Sequence, residues 1–198
     1  MNKKLKCLFL GYSSKKTILI SFLRKKSFFV KNYNGNLEKI NVGEYDICVS
    51  FGYRKIISSK DLKRFKRKPI NLHLSYLPFN RGAHPNYWSF VENTPKGVTI
   101  HEIKKGIDTG NIILQKLVHI SKEKHSFKSS YNLLFKTAES LFIKNFDKII
   151  MKKYRSKKQK KRGTSHKTNQ LPKSLKSWNV NINNYLKHYK TQLNKINS

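Results

Sequence analysis

Three polar side chains that could do acid–base chemistry lie in the middle of the sequence. Asn71 and His73 are two residues apart in the apolar run PINLHLS, and Asp108 follows in the loop KKGIDTG. Residues two apart on a strand point to one face. An amide donor and an imidazole would then lie side by side at the carboxyl end of a central strand, where open α/β sheets place their sites. Each residue also has a purely structural explanation. Asn71 could satisfy backbone groups at the end of the strand, His73 could be a partly buried histidine with its hydrogen bonds satisfied, and Asp108 could be a turn residue that bonds its own backbone.

The elements that must position these residues alternate along the chain. Short apolar and β-branched runs separated by stretches with helical spacing are typical of βαβ units. The expected strands are 6–11, 27–33, 45–53, 69–75, 97–103 and 112–120, and the expected helices are 17–23, 56–65, 86–93 and 126–151. This order predicts an α/β chain with a Rossmann-like three-layer fold, in which helices flank a mostly parallel central sheet.

Length and composition favour one main body with an appendage. The chain has 198 residues, of which 37% are hydrophobic and 12% aromatic, enough to fill a core. Helical periodicity stops at Lys152–Arg162, which holds eight basic residues in eleven. We therefore predict one domain at 1–151, followed at 152–198 by a basic linker and a short C-terminal extension. Apolar residues from Leu171 onward suffice to dock on the main body or to form a small extension.

The net charge is high and uneven. Lys and Arg number 43 against 10 Asp and Glu, giving +33, and the last acidic residue is Asp147. Such a surface can bind nucleic acid, anionic lipid or a phosphorylated substrate. Abundant Asn, Ile and Lys along the whole chain would equally follow from AT-rich coding. Charge alone therefore leaves the function open.

Several classes of protein are disfavoured by missing patterns. Only Gly11 follows the first strand, so the glycine-rich loops of dinucleotide and Walker sites are absent, and His and acidic residues are too scattered for a metal site. Cys7 and Cys48 lie in apolar runs, as buried thiols of a reducing compartment do, which predicts a cytoplasmic protein. No apolar stretch approaches the ~20 residues that span a bilayer.

Two sequence blocks resemble a known family. They are NLHLSYLPFNRGAHPNYW from Asn71 to Trp88 and GVTIHEIKKGIDTGNIILQ from Gly97 to Gln115. With Asn-x-His, Leu-Pro, Arg-Gly-x-x-Pro and Asp-Thr-Gly in this order, the chain is similar to folate-dependent formyltransferases, which include methionyl-tRNA, glycinamide ribonucleotide and sugar-nucleotide N-formyltransferases. The resemblance covers residues 45–120 well, and the tail is similar to that of small sugar-type members.

The resemblance implies a reaction and its catalytic residues. An amine attacks the formyl carbon of 10-formyltetrahydrofolate, the co-substrate, and no metal takes part. Asn71 and protonated His73 would stabilise the oxyanion. Asp108 would hold His73 charged and take the proton of the amine, directly or through water. The span between Tyr33 and Tyr45 is short, so one βα unit of longer members is expected to be reduced.

The resemblance also implies binding residues. The expected folate contacts are Tyr53, Arg54, Ile56, Ile103, Gly106 and Ile107. Arg81 and His84, in the loop after the Asn-x-His strand, are the candidates for acceptor binding, although Arg81 could also only brace its loop. Many relatives carry an acid where this chain has Lys104 and Lys105, which leaves the details of folate contact open. His101 could face either side of its strand.

The acceptor divides the candidate functions. A nucleotide-linked amino sugar is favoured, because the residues after Ile150 are too few for the further domain of tRNA enzymes, and because Gly11-Tyr12-Ser13-Ser14 is unlike the phosphate loop of glycinamide ribonucleotide enzymes. A methionyl-tRNA formyltransferase-like enzyme is the alternative. A non-catalytic basic protein that binds nucleic acid on the same scaffold is the alternative from another class. A homodimer is left open.

Overall fold

A computed structural model describes residues 4–159 and 163–196. Its centre is a six-stranded sheet in the order β2-β1-β3-β4-β6-β7. The strands are β1 Lys6–Gly11, β2 Phe29–Tyr33, β3 Ile47–Phe51, β4 Ile70–His73, β6 Gly97–Glu102 and β7 Ile112–Leu117. Adjacent strands from β2 to β4 pair in parallel, and β6 runs antiparallel to both of its neighbours. The expected α/β fold with a mostly parallel sheet is confirmed.

Alternation along β1 explains the three layers. Cys7 and Phe9 are fully buried on one face, in a core that includes residues of helices α1 (Leu19–Lys25) and α4 (Phe127–Lys144). Leu8 and Leu10 are fully buried in a second core on the other face. Because successive strand side chains point to opposite faces, a strand that is buried throughout must lie between two layers.

The second core is covered by small elements. Helix α2 spans Ser59–Arg64, and two 3-10 turns span Leu37–Lys39 and Val42–Glu44. Between Tyr33 and Ile47, a span that the structure describes completely, these two turns are the only regular elements. The short span thus holds a reduced unit, as expected.

The long helix predicted for 126–151 is interrupted. Helix α4 begins after Ser126, whose hydroxyl accepts a hydrogen bond from the backbone of Ser129, and it ends at Lys144, with Asn145 as the C-cap. The Asn145 backbone N–H donates to Phe142 O at 3.2 Å, a tighter turn, and its side chain donates to Leu141 O at 2.9 Å. Helix α5, Phe146–Ile150, follows. The prediction of one continuous helix was wrong. The sequence did not reveal the break, because apolar residues keep their helical spacing across it.

The loop and the tail predicted without regular structure pair with each other. Arg81–Gly82 forms β5 and Ser165–His166 forms β8, and the two strands lie in parallel. Helix α3, Pro85–Val91, follows β5. Helix α6, Ile182–Ile196, completes a third apolar cluster, in which Ile182 is buried with Tyr87 and Phe127. The tail therefore docks on the main body, one of the two expected outcomes.

Candidate active site

Strands β4 and β6 present a group of polar side chains on one face of the sheet. Asn71 lies opposite His101, and His73 lies opposite Thr99. Directly opposite residues of an antiparallel pair share a face, so Asn71, His73 and His101 lie together. Their common face was predictable for Asn71 and His73 alone, since the position of His101 depends on the register between β4 and β6.

Asp108 lies between these side chains, as expected from the sequence. Its Oδ2 is 3.5 Å from His73 Nδ1, and its Oδ1 is 3.4 Å from His101 Nε2. The Asn71 amide donates to Oδ1 at 3.3 Å, and the Gly82 backbone N–H donates to Oδ2 at 2.8 Å. A carboxylate accepts up to four hydrogen bonds, and four polar groups surround this one. The three predicted catalytic side chains therefore meet at one place.

Backbone carbonyls fix one proton on each histidine. His73 Nε2 lies 3.0 Å from Asn80 O, and His101 Nδ1 lies 2.8 Å from Glu102 O. A carbonyl only accepts, so each of these nitrogens must carry hydrogen. The proton that can leave His73 is therefore the one on Nδ1, the atom that faces Asp108.

His101 has two uses for its other nitrogen. Nε2 lies 3.2 Å from the Asn71 amide nitrogen as well as 3.4 Å from Asp108 Oδ1. A neutral ring accepts from Asn71 there, whereas a charged ring donates to Asp108. His101 is thus a part of the site that sequence reasoning did not select.

The electrostatics of the site favour an ionised Asp108. Burial by itself would raise the pKa of the Asp108 carboxyl, but the charge of His73, the contact with His101 and the Gly82 N–H outweigh burial and hold the pKa well below its usual range. Opposite charges and donated hydrogen bonds stabilise the charged form. Asp108 is consequently negative throughout the neutral range.

The predicted folate residues follow two strand ends. Ile56 is 81% exposed and Ile107 is 50% exposed, so both present apolar surface to solvent. Gly106 has φ +98°, a conformation that favours glycine. The Ile103 backbone N–H donates to Pro69 O at 2.7 Å, which joins its loop to the start of β4.

Tyr53 and Arg54 lie in different environments. The Tyr53 hydroxyl donates to Gly35 O at 2.7 Å, and its ring packs against the second core. Burial raises the pKa of Tyr53 to about 12, so its hydroxyl keeps its proton. Arg54 is exposed, and its charge helps to lower the pKa of His84 after the larger effect of burial.

The two predicted acceptor residues are both held by the tail. His84, at φ +51° before α3, stacks on Trp178 with ring centroids 5.6 Å apart. The Arg81 guanidinium donates to the Gln159 side-chain oxygen from Nε at 3.0 Å and from Nη2 at 2.7 Å. Neither His84 nor Arg81 is among the contacts of Asp108, although Gly82 links their loop to it.

Two neighbouring aromatic side chains lie outside the Asp108 cluster. Trp88 is 9% exposed and belongs to the third apolar cluster. His166 stacks on Trp88 at 4.1 Å. His166 Nε2 lies 2.9 Å from Glu92 Oε1 without the geometry of a hydrogen bond.

Comparison with known proteins relates this arrangement to a family. The family model described as formyl transferase matches residues 4–145, which include all three predicted catalytic residues. The chain belongs to the formyl transferase family. The resemblance recognised in the two sequence blocks is therefore confirmed.

Curated relatives of this formyl transferase are larger proteins. The chain is 33% identical over 178 residues to the bifunctional polymyxin resistance protein ArnA of Wigglesworthia glossinidia brevipalpis, which covers 84% of the chain and 27% of ArnA. It is 38% identical over 119 residues to methionyl-tRNA formyltransferase of Thermodesulfovibrio yellowstonii, and this match covers 60% of the chain and 37% of that enzyme. The chain thus matches well under half the length of either relative.

A solved structure matches nearly from end to end. The formyltransferase PseJ from Anoxybacillus kamchatkensis, in complex with UDP-4,6-dideoxy-4-formamido-L-AltNAc and tetrahydrofolate, is 40% identical with a TM-score of 0.84. The match covers 90% of this chain and 96% of PseJ. A sugar N-formyltransferase from Shewanella, at 22% identity and a TM-score of 0.71, shares the fold.

The described ranges, 4–159 and 163–196, contain no cluster of three His, Cys, Asp or Glu side chains that could hold one metal ion. None of the helices there combines the length and apolar content needed to cross a bilayer.

Proposed function

We propose that this formyl transferase moves a formyl group from 10-formyltetrahydrofolate to the primary amine of a nucleotide-linked amino sugar. The observation that carries the proposal is the 40% identity to PseJ over nearly the whole of both chains, since PseJ was solved with a formamido sugar nucleotide and tetrahydrofolate. The reaction takes place in the cytoplasm, where the buried thiols of Cys7 and Cys48 stay reduced.

Asn71 supplies the first donor to the oxyanion. When the amine attacks the formyl carbon, negative charge develops on the formyl oxygen. The hydrogen bonds from Asn71 to Asp108 and His101 are long, at 3.3 and 3.2 Å, so the amide can turn toward a stronger acceptor at little cost. A preorganised donor of this kind contributes about 3–4 kcal/mol to transition-state stabilisation.

His73 supplies the second donor through Nδ1. Its Nε2 hydrogen is directed to Asn80 O, which fixes the plane of the ring. Nδ1 faces Asp108 at 3.5 Å, too long for a good hydrogen bond and therefore open to the formyl oxygen. The negative charge of Asp108 keeps a proton on Nδ1 as the reaction proceeds.

Asp108 stabilises the positive charge that forms on the attacking nitrogen. A carboxylate whose pKa is held far below its usual range is a weak base. Asp108 therefore accepts a hydrogen bond from the new ammonium and does not retain the proton of the ammonium. The proton passes through water to N10 of the folate. Collapse of the tetrahedral intermediate then breaks the bond between the formyl carbon and N10, which releases tetrahydrofolate and leaves the formamide.

The folate and the acceptor are assigned to different loops around this cluster. Exposed Ile56 and Ile107 suit the flat, partly apolar folate rings. Arg54 is kept with the folate contacts. Arg81 suits the diphosphate of a sugar nucleotide, because a guanidinium has five N–H donors and Gln159 uses two of them. The stacked pair of His84 and Trp178 offers a flat surface beside Arg81.

The experiment that tests the proposal is formyl transfer to a panel of acceptors. The purified chain is incubated with 10-formyltetrahydrofolate and UDP- or dTDP-linked amino sugars, and mass spectrometry detects the gain of one formyl group. We expect Asn71→Ala to lower kcat by about 10²–10³-fold. Asn111→Ala, which removes only a 3.4 Å contact to Ser156, is the matched control and should retain activity. Wild-type protein that formylates none of the sugar nucleotides contradicts the proposal.

Methionyl-tRNA is the second candidate acceptor. Identity to methionyl-tRNA formyltransferase favours it, and so does the +33 charge, but the match spans only 37% of that enzyme. Adding charged initiator tRNA to the panel separates the two acceptors. Modification of tRNA alone would preserve the chemistry of Asn71, His73 and Asp108 and replace the sugar.

A further inference from the structure

We propose that Gln159 is a positioning residue for the formyl transfer proposed above, acting through the loops that carry Asp108 and Arg81. Gln159 belongs to the basic segment that follows helices α4 and α5, far in sequence from either loop. Its side chain nevertheless makes hydrogen bonds to three residues of the site region. The inference rests on the proposed function, since positioning has meaning only for a reaction at Asp108.

The donor end of Gln159 holds the Asp108 turn. Its amide nitrogen donates to Asp108 O and to Gly110 O, each at 2.7 Å. Asp108 has φ +50°, a left-handed conformation that costs a non-glycine residue about 1 kcal/mol or more. Two hydrogen bonds across this turn stabilise it in the shape that directs the carboxylate toward His73.

The acceptor end of Gln159 holds the Arg81 loop. Its oxygen accepts from Arg81 at Nε, 3.0 Å, and at Nη2, 2.7 Å. The next residue, Gly82, donates its backbone N–H to Asp108 Oδ2 at 2.8 Å. A closed ring of hydrogen bonds therefore runs from Asp108 O through Gln159 and Arg81 to Gly82 and back to the Asp108 carboxylate.

A carboxamide is the group that fits this place. Glutamine offers two N–H donors and one oxygen with two lone pairs, and all of these are used. A glutamate would keep the acceptor for Arg81 but would place a carboxylate oxygen against two carbonyl oxygens. Glutamate therefore separates the two ends of the residue experimentally.

The tail does not depend on Gln159 for its attachment. The Thr164 hydroxyl accepts from Asn80 N at 2.8 Å, and β8 pairs with β5. Ile182 is fully buried in the third apolar cluster. A Gln159→Ala variant should therefore fold with its tail docked, and its effects should be local to the two loops.

The test combines kinetics with amide hydrogen exchange in the full chain. In Gln159→Ala we expect kcat to fall about 10- to 100-fold, as small misplacements of catalytic groups cause. We expect the Gly82 amide, whose acceptor is the Asp108 carboxylate, to exchange at least about 10-fold faster by NMR. Gln159→Glu should not restore kcat. Gln170→Ala is the control and should match wild type in both measurements, because Gln170 is an exposed glutamine of the tail whose side chain accepts from Lys167 N.

Three outcomes would overturn the inference. One is Gly82 exchange within about 2-fold of wild type in Gln159→Ala. Another is faster exchange with kcat unchanged, which would leave Gln159 a structural contact only. The third is full activity in Gln159→Glu, which would assign the residue to Arg81 alone. The exchange measurement needs no substrate, so it decides whether Gln159 holds the Asp108 carboxylate even if the wild-type chain transfers no formyl group and the proposed function fails.

Discussion

Asp108 receives polar contacts from three strands, and this makes one carboxylate the centre of the site. Asn71 and His73 come from β4, His101 from β6 and the Gly82 N–H from β5. Placing a negative charge there is favourable only while these partners remain. The contacts of Asp108 should therefore contribute to the stability of the fold.

We expect Asp108→Asn to change the pH dependence of stability. The pKa of Asp108 is lower in the folded chain than in the unfolded chain, so its ionised form stabilises the fold above the unfolded pKa of about 3.9, and this contribution is lost as pH falls. The difference in free energy of unfolding between wild type and Asp108→Asn should shrink by about 1 kcal/mol between pH 5 and pH 3. Urea titrations at the two pH values measure it.

Asp147→Asn is the control for this prediction. Asp147 is exposed on α5, so the same Asp-to-Asn change is made there without removing a buried carboxylate that has several polar partners. If the two variants have the same pH dependence, the contacts of Asp108 do not stabilise its charge.

At the site, the sequence identified the residues that its motifs contain and missed those that pairing brings in. Asn71 and His73 share a face by spacing alone, and Asp108 was selected by its motif. His101 faces Asp108 only because it pairs with Asn71, and no local pattern determines that register. Gln159 lies 51 residues from Asp108, and its neighbours in sequence predict only a solvated basic segment.

At the scale of elements, the Asp108 loop depends on a close backbone approach at Gly110. A side chain there would meet the Glu102 carbonyl oxygen, which is part of the backbone and cannot move aside. The Glu102 N–H also donates to Asn111 O at 2.9 Å, so the strand and the loop are fixed together. The loop can pass over β6 only with glycine at this position.

We expect Gly110→Ala to displace the loop that carries Asp108. A displacement of about 1 Å in a catalytic group lowers the rate by about 100-fold, so we expect kcat to fall by at least about that factor. The far-ultraviolet circular dichroism should stay close to that of wild type, since the sheet core does not include the loop. Steady-state kinetics and circular dichroism measure the two effects. Gly43→Ala is the control, because an added Cβ there would come no closer than 3.2 Å to its nearest neighbour, Arg64 O. Wild-type kcat in Gly110→Ala would show that the loop tolerates displacement.

The elements that the sequence predicted well are those with their own periodicity. The six strands of the main sheet lie within the expected ranges to a few residues, because each is a short apolar run bounded by turns. Strands β5 and β8 have two residues each and exist only through their mutual pairing, which no local pattern reveals. The break at Asn145 was hidden for a related reason, since Phe142 and Phe146 stay in one core on both sides of it.

For the molecule as a whole, the question is whether the +33 charge serves the reaction or only reflects composition. An excess of positive charge attracts a sugar nucleotide through the long-range field and raises the rate of encounter. We expect kcat/KM for the proposed sugar-nucleotide acceptor to fall about 10-fold between roughly 50 and 500 mM NaCl, with kcat unchanged, because salt screens encounter and not chemistry. Initial rates at several salt concentrations measure this.

The position of the charge distinguishes steering near the site from a general field. Four exposed lysines precede Gln159 in the segment that contacts the Asp108 loop: Lys152, Lys153, Lys157 and Lys158. Four other exposed lysines form the comparison set: Lys25, Lys31, Lys39 and Lys144. Of these, Lys31 lies on β2, the edge strand that is separated from β4 by β1 and β3. Changing either set to Gln lowers the net charge equally. We expect the first set to weaken the salt dependence of kcat/KM more than the second, because potential falls off within about 10 Å in 0.1 M salt. Equal effects would mean that the charge acts only as an overall property of the composition.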